Sequence, residues 1–235
     1  MRKGFFKKMA ALVLAVVTTM TMFTGCGGAG STSASTKSIT IQGGNTEGDL
    51  DPAGVALGMF IQYSRLCLEP LITYDSDGKV GKAMAESYEE SSDGLTWTFH
   101  LRKDAKWSDG SAVTSADFVN TIKRSLDGKT SKSIYADMLS PIVGATEAYA
   151  GTASVDNVGV TAPDDYTIEF KLVKPCSYFL KLIAMQCCYP SKAGIATNEN
   201  ETWYTDPKTN LANGAFYMTE YVQDRKSTRL NSSHT

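Results

Sequence analysis

The chain has 235 residues, 42% of them hydrophobic, and its 23 basic and 25 acidic side chains leave a formal net charge of -2. This composition is typical of a folded globular protein, and it excludes an intrinsically disordered chain and a multi-span membrane protein. A slightly acidic chain has no excess of positive charge for phosphate backbones, so nucleic acid is not an expected partner.

The N-terminus has the pattern of a secretory signal. Four basic residues among the first eight precede an apolar run, residues 9–23, that is shorter than the roughly 20 residues needed to cross a bilayer. We therefore expect residues 1–25 to be a signal peptide outside the fold. The run ends in "FTGC", which resembles the lipobox of bacterial lipoproteins. That resemblance implies a lipid on Cys26, followed by a Gly/Ser/Thr-rich tether over residues 26–38. The alternative is a plain signal peptide with an incidental cysteine.

The first part of the folded body alternates short strands with one helix. Ile39 and Ile41 predict a strand, and residues 59–68 predict a helix. The segment "LITYDSDGKV" predicts a hairpin with its turn at Asp77 and Gly78. These elements favour a mixed α/β sheet fold.

The stretch "LTWTFHLRKDAKWSDG", residues 95–110, combines an apolar alternation with a dense cluster of charge. The period of two predicts a half-buried strand over residues 95–101, with His100 on the polar face. A helix is expected to begin at Thr114 or Ser115, with Asp117 near its N-terminus. We interpret the charged connector between the two elements as a solvated loop.

The second half continues the same pattern. We expect two strands around a turn at Pro163 and Asp164, then a helix over residues 177–185 and a strand after Asn213 and Gly214. Residues 226–235 show no hydrophobic period. We therefore expect them to be a non-native or disordered tail.

The chemistry-bearing residues do not form a recognisable catalytic or metal site. Cys67, Cys176, Cys187 and Cys188 lack metal-ligand spacing, so we interpret them as small buried side chains, although export would permit disulfides. No nucleophile elbow, P-loop or zinc-protease motif is present. We expect no cofactor, no bound metal and no catalytic residue.

The stretch "AMAESYEESSDGLTWTFHLRKDAKWSDGSAVTSADFVNTIKRSL", with "DYTIEFKL" and "NGAF", closely resembles extracytoplasmic solute-binding family 5 of oligopeptide ABC importers. The likeness covers about residues 39–225. It implies a two-lobed binding-protein fold of mixed β-sheets with flanking helices, of which this chain is an N-terminal fragment. Residues 39–68 would begin the larger lobe, residues 69–190 would form the smaller scaffold domain, and residues 191–225 would return to the larger lobe.

The resemblance also implies a function outside the cell. A lipid-anchored monomer would capture oligopeptides and deliver them to the permease subunits of an ABC importer. The family's ligand-contacting segment falls on Ala56, Leu57 and Gly58, and its contact tyrosine falls on Tyr135. An equally acceptable interpretation of Tyr135 is a buried core tyrosine. The family's acidic residue for the peptide N-terminus lies beyond residue 225, so we expect the chain alone not to bind peptide tightly.

Three alternatives remain open from the sequence. The same scaffold could bind nickel, haem, an oligosaccharide or an opine. A surface lipoprotein hydrolase would need a nucleophile–base pair, which would have to include His100 because it is the only histidine within the folded body. An adhesive surface lipoprotein would bind no small ligand.

Overall fold

The computed structural model describes residues 38–42, 50–53, 59–129, 131, 133–200, 202–222 and 227–232. The strands are β1 (Ser38–Gln42), β2 (Ile72–Tyr74), β3 (Val80–Lys82), β4 (Ala85–Glu90), β5 (Thr96–Leu101), β6 (Val160–Asp164), β7 (Thr167–Lys171), β8 (Phe216–Val222) and β9 (Ser227–Ser232). The α-helices are α1 (Met59–Cys67), α2 (Ser115–Leu126), α3 (Ala145–Tyr149) and α4 (Phe179–Ile183), and short 3₁₀ helices cover Ala136–Leu139, Val155–Asn157 and Gln186–Cys188.

The strands form three antiparallel sheets in the described part of the chain. The largest sheet has the order β4-β5-β7-β6, a second has the order β1-β9-β8, and β2 and β3 form a hairpin. Most of these elements confirm the sequence interpretation. The hairpin turn contains Gly78 with a φ of 76°, a backbone conformation that glycine adopts without strain.

The central strand β5 confirms the predicted alternation. Trp97, Phe99 and Leu101 are buried, while the side chains between them are partly exposed. Phe99 meets Phe170 of β7 edge-to-face with ring centroids 5.7 Å apart, and Phe170 meets Phe179 of α4 at 5.3 Å. This aromatic row joins the inner face of the sheet to α4, and such pairs stabilise a core beyond their buried area.

Helix α2 begins after Thr114, as predicted, and covers the sheet. Its apolar side chains Phe118, Ile122 and Leu126 recur at helical spacing and are all buried, and the helix packs against β6 and β7. The Asp117 carboxylate accepts the Thr114 backbone N–H at 2.9 Å, which satisfies a donor that would otherwise be unpaired at the helix start.

Trp107 fixes the charged connector to this helix start. Its indole N–H donates to Asp117 Oδ2 at 2.9 Å, and both side chains are almost fully buried. The other oxygen of Asp117 accepts the Ala193 backbone N–H at 2.8 Å. A buried carboxylate is stable only when it is hydrogen-bonded, so Trp107 of the connector and Asp117 of α2 have a structural role.

Two predicted boundaries are wrong by a few residues. The β6–β7 turn lies at Asp165 and Tyr166, and Pro163 belongs to β6, an edge strand of the sheet where a missing N–H is tolerated. The Asp164 side chain accepts the Tyr166 N–H at 2.8 Å and so starts the turn. Helix α4 is shorter than residues 177–185.

The expectation of disorder in residues 226–235 is wrong for β9. That strand lies between β1 and β8 and pairs antiparallel with both. Its sequence, "STRLNS", has no apolar alternation, so the hydrophobic period gives no signal. Backbone pairing on both edges holds a strand whose residues are mostly polar.

The cysteines Cys67, Cys176, Cys187 and Cys188 are free and buried, which confirms their interpretation as small core side chains. Burial raises the pKa of the Cys67 thiol, since the thiolate loses its hydration there. Within the described residues, no helix is long and apolar enough to cross a membrane.

Replacing Trp107 with phenylalanine removes the donor to Asp117 and leaves a buried carboxylate oxygen with fewer partners. We expect Trp107→Phe to lower the free energy of unfolding by about 1–3 kcal/mol more than Trp97→Phe does. Trp97 is a matched control because its ring is also buried, but its indole nitrogen meets no acceptor among the described residues. Urea unfolding measures both variants, and equal losses would contradict a stabilising role for the bond.

Candidate ligand-binding site

The C-terminal end of α2 carries a buried arginine. The Arg124 side chain is only 7% exposed, and its guanidinium forms an ion pair with the Asp51 carboxylate, which is 12% exposed. Arg124 Nε donates to Asn198 Oδ1 and Nη1 donates to Ser191 Oγ, both at 3.2 Å. Because a buried guanidinium needs partners for its N–H groups, these three residues are held at the end of the helix.

Arg124 thereby fixes the turn that precedes the predicted ligand segment. Asp51 Oδ1 accepts the Ala53 backbone N–H at 2.9 Å, and Asp51, Pro52 and Ala53 are all buried. The predicted contact residues Ala56, Leu57 and Gly58 lie outside the described residues, as does Cys26. The structure thus describes what anchors the chain shortly before that segment, and the segment's ligand role stays a prediction.

A third segment reaches Arg124 from the second half of the chain. The guanidinium carbon lies 5.6 Å from the centre of the Trp203 ring, and Asn198 Nδ2 donates to the Arg124 carbonyl oxygen at 3.3 Å. A cation above an indole face is attracted by the ring electrons, and more strongly when water is excluded. One side chain therefore joins α2 to residues 51–53, 191–198 and 203.

Tyr135 follows the same end of α2. A series of hydroxyl contacts leads to it: Ser131 Oγ donates to the Ser125 carbonyl at 2.7 Å, and Ser133 Oγ accepts the Tyr135 N–H at 3.3 Å. Such side-chain bonds to nearby backbone shape turns. The segment between α2 and the 3₁₀ helix Ala136–Leu139 therefore has defined local bonds.

The Tyr135 ring is half-buried and packs against the hydrophobic core. Its neighbours Ile134 and Met138 are 57% and 50% exposed, and the Tyr149 hydroxyl donates to the Ser133 carbonyl at 3.4 Å. This position combines features of both interpretations of Tyr135, because the ring contacts the core and also borders an exposed apolar surface. Its role as a ligand contact stays a prediction.

The charged connector contains no assembled reaction centre among the described residues. His100 lies on the polar face of β5, 43% exposed, with Nε2 3.5 Å from the Glu89 carboxylate. The Lys103 ammonium lies 5.5 Å from the Tyr166 ring centre, and Asp104 is 79% exposed. These positions confirm the interpretation as a solvated loop. The described residues include no group of three His, Cys, Asp or Glu side chains that could hold a metal ion.

The sequence alone does not indicate the buried role of Arg124, because a cation near a helix C-terminus is favourable on the surface as well. Asp117, Thr121 and Arg124 are spaced by four and three residues, so they share one face of α2. All three are buried and contact residues 191–198. That polar spacing was readable in the sequence, but its partners lie about 70 residues away along the chain.

Comparison with known proteins identifies the family of this chain. The family model described as "Bacterial extracellular solute-binding proteins, family 5 Middle" matches residues 79–231. The chain belongs to this family. The resemblance stated from the sequence is therefore confirmed.

The alignments with individual relatives cover most of this chain but only about a third of each relative. It is 36% identical over 200 residues to the periplasmic oligopeptide-binding protein OppA of Escherichia coli K12, covering 84% of this chain and 36% of that protein. It is 34% identical over 183 residues to the probable deoxycholate-binding periplasmic protein YgiS of Escherichia coli K12, with coverages of 77% and 34%.

The solved structures agree with the sequence relatives. The substrate-binding domain of an oligopeptide ABC transporter from Bacillus anthracis str. Ames aligns with a TM-score of 0.69 at 35% identity, covering 74% of this chain and 33% of that structure. The chain thus spans about a third of the length of these relatives. The predicted fold class is confirmed: an α/β chain that covers part of a two-lobed periplasmic binding-protein fold.

Removing the Arg124 charge should detach the segments that converge on it. We expect Arg124→Met to lower the free energy of unfolding by about 3–5 kcal/mol, because Asp51 is left buried without its cation. Lys123→Met is the matched control: the Lys123 ammonium lies 3.6 Å from Asp156, whose side chain is 84% exposed. That surface pair should contribute no more than about 1 kcal/mol.

Denaturant unfolding of both variants tests this expectation. If Arg124→Met does not fold, Arg124→Lys keeps the charge while removing the planar set of donors, and an intermediate loss is expected. Equal stability of the Arg124→Met and Lys123→Met proteins would contradict the account.

Proposed function

We propose that this protein is the extracytoplasmic receptor of an ABC importer, and that it binds peptides and passes them to membrane permease subunits without altering them. The single observation that carries the proposal is membership of solute-binding family 5 together with 36% identity to a protein named for oligopeptide binding. Family 5 proteins are solute-binding proteins, which favours a receptor over an enzyme.

The contacts of the described residues support a scaffold role for the "TFHLRKDAKWSDG" stretch. Trp107 and Asp117 connect the connector, α2 and residue 193, while His100 contacts a glutamate on an exposed strand face. No serine, threonine or cysteine hydroxyl or thiol bonds to His100 among the described residues. A hydrolase would need such a nucleophile–base pair.

We assign the domain plan in the same terms. Residues 39–68 and 191–225 belong to the larger lobe, residues 69–190 form the smaller scaffold domain, and ligand contacts come from residues 56–58 and Tyr135. The contacts of Arg124 with Asp51, Ser191 and Trp203 support this plan, since they bring the two larger-lobe segments together at the end of α2. The receptor acts as a monomer.

Calorimetry and thermal shift on the mature protein expressed from its natural gene test the ligand class. We expect peptides of two to five residues to raise the melting temperature and to bind with micromolar or lower Kd. Deoxycholate is the comparison ligand because one relative is named for it. The peptide assignment would be overturned if deoxycholate alone stabilised the protein, or if no peptide in a diverse set stabilised it.

Tyr135→Phe tests the contact tyrosine without emptying the core, because the ring remains. If the hydroxyl bonds to bound peptide, Kd should rise about threefold to tenfold with an unchanged melting temperature of the free protein. Tyr88→Phe is the control, since Tyr88 is 40% exposed on β4 and outside the proposed site. An unchanged Kd for Tyr135→Phe would assign that residue to the core alone.

Membrane fractionation tests the lipid anchor that we assign to Cys26. The wild-type protein expressed in a bacterial host should sediment with the membranes, since lipidated cysteine carries enough acyl chain for stable anchoring. Cys26→Ser should remove the lipid, visible as a loss of acyl mass in intact-protein mass spectrometry. An equal acyl mass on the wild-type and Cys26→Ser proteins, or no acyl mass on either protein, would contradict the assignment.

A further inference from the structure

A groove lies where three parts of the chain meet: the end of α1, the β2–β3 hairpin and the start of β8. Its lining does not include Arg124 or the partners of Arg124. Its volume is about 390 Å³. Segments 68–70 and 213–215 form part of its wall, together with side chains from β3 and from the end of β5. It is large enough for a small ligand with several waters.

The charged side chains that line this groove are unbalanced. Arg65, Lys82 and Arg102 contribute three positive charges, and Glu69 contributes the one negative charge among the lining residues. Glu69 Oε2 accepts a hydrogen bond from Arg102 Nη2 at 2.5 Å, so these two charges neutralise each other and Arg65 and Lys82 supply the excess. Arg65 and Lys82 have no carboxylate within ion-pair distance in the part of the chain that the structure describes.

Arg102 also carries a buried donor with nothing to accept it. Its Nη1 lies 3.8 Å from Asp104 and its Nη2 bonds Glu69, but the Nε–H group is buried and meets no acceptor among the described residues. Buried N–H groups in folded proteins are nearly always paired, so this N–H is a candidate donor to a bound acceptor. An anion in the groove would supply it.

The walls of the groove are fixed before any ligand arrives. Asn213 Oδ1 accepts the Glu69 N–H at 2.9 Å and Asn213 Nδ2 donates to the Glu69 carbonyl at 3.1 Å. The Gly214 N–H donates to the Cys67 carbonyl at 2.9 Å, which satisfies a carbonyl at the end of α1. The partial negative charge of that helix end is therefore partly neutralised and opposes an anion less.

We propose that this groove binds a small oxyanion, a carboxylate or a phosphate, with Arg102 Nε as the buried donor and Arg65 and Lys82 as the source of attracting charge. An oxyanion suits this set because planar guanidinium donors match its oxygens. The bound anion would join α1, the hairpin and the end of β5. This inference does not depend on the peptide-binding proposal.

Titration calorimetry on the full chain tests the site with defined probes. Inorganic phosphate and acetate are titrated separately in chloride buffer at constant ionic strength, and the melting temperature is followed in the same solutions. Saturable binding of phosphate alone would identify a phosphate site, and binding of both would identify a general oxyanion site. Failure of both probes to bind would overturn the proposal.

Two charge-neutralising variants on the same hairpin locate the site. Lys82→Gln should raise Kd for the bound probe about threefold to fivefold, the range expected for one solvent-exposed charge. Lys79→Gln is the matched control, because Lys79 is exposed on the hairpin and does not line the groove. Circular dichroism melts check that both variants fold. Equal effects of the two variants would show non-specific attraction and overturn the assignment.

Discussion

The buried ion pair between Arg124 and Asp51 is the interaction on which the described structure depends most. Arg124 lies on α2, and the two faces of this helix make different contacts. Phe118, Ile122 and Leu126 cover the sheet, while Arg124 holds a turn more than 70 residues earlier in the chain. A buried charge pair of this kind is tolerated only with further hydrogen bonds, which Ser191 and Asn198 provide.

The polar face of α2, formed by Asp117, Thr121 and Arg124, holds residues 191–198 against the helix. Asp117 accepts the Ala193 N–H, the hydroxyl of Thr121 lies 2.7 Å from that of Ser191, and Arg124 reaches Asn198. Each contact is directional, so together they set the register of residues 191–198 along the helix. Apolar contacts alone would specify that register less sharply, because the hydrophobic effect is non-directional.

This arrangement changes the interpretation of the charged stretch after β5. Trp107 reaches back to Asp117, and the Lys192 ammonium lies 5.9 Å from the Trp107 ring centre while also donating to the Ala112 carbonyl. The connector is therefore held by the helix and by the segment that returns to it. Within the stretch, Trp107 connects the connector to α2, whereas charged side chains such as Asp104 are exposed.

The sequence predicts those parts of the fold that a periodic apolar pattern encodes. Strand β5 and helix α2 follow from local spacing, and the β2–β3 turn follows from Asp77 and Gly78. The sequence does not predict strand β4, because only its first residue is buried and its glutamates and tyrosine show no alternation. The sequence does not predict strand β9 because "STRLNS" has no apolar alternation, although its backbone pairs with both β1 and β8.

The candidate site is harder to predict than the fold. Arg124 lies at the end of a helix where a cation is favourable in any case, so its position suggests a simple surface role. Its real partners come from residues 51, 191, 198 and 203, and no local pattern brings them together. The candidate role of Tyr135 as a ligand contact comes from the family resemblance and not from its spacing, and the structure places it shortly after the end of α2.

A double-mutant cycle between Asp51 and Arg124 tests this account most directly. Asp51→Asn, Arg124→Met and the double variant are compared by urea unfolding, and the coupling energy is taken from the four proteins. The account predicts a coupling of about 2–3 kcal/mol, because each side chain is buried against the other. Additive losses within about 0.5 kcal/mol would show that the pair does not hold the turn to the helix.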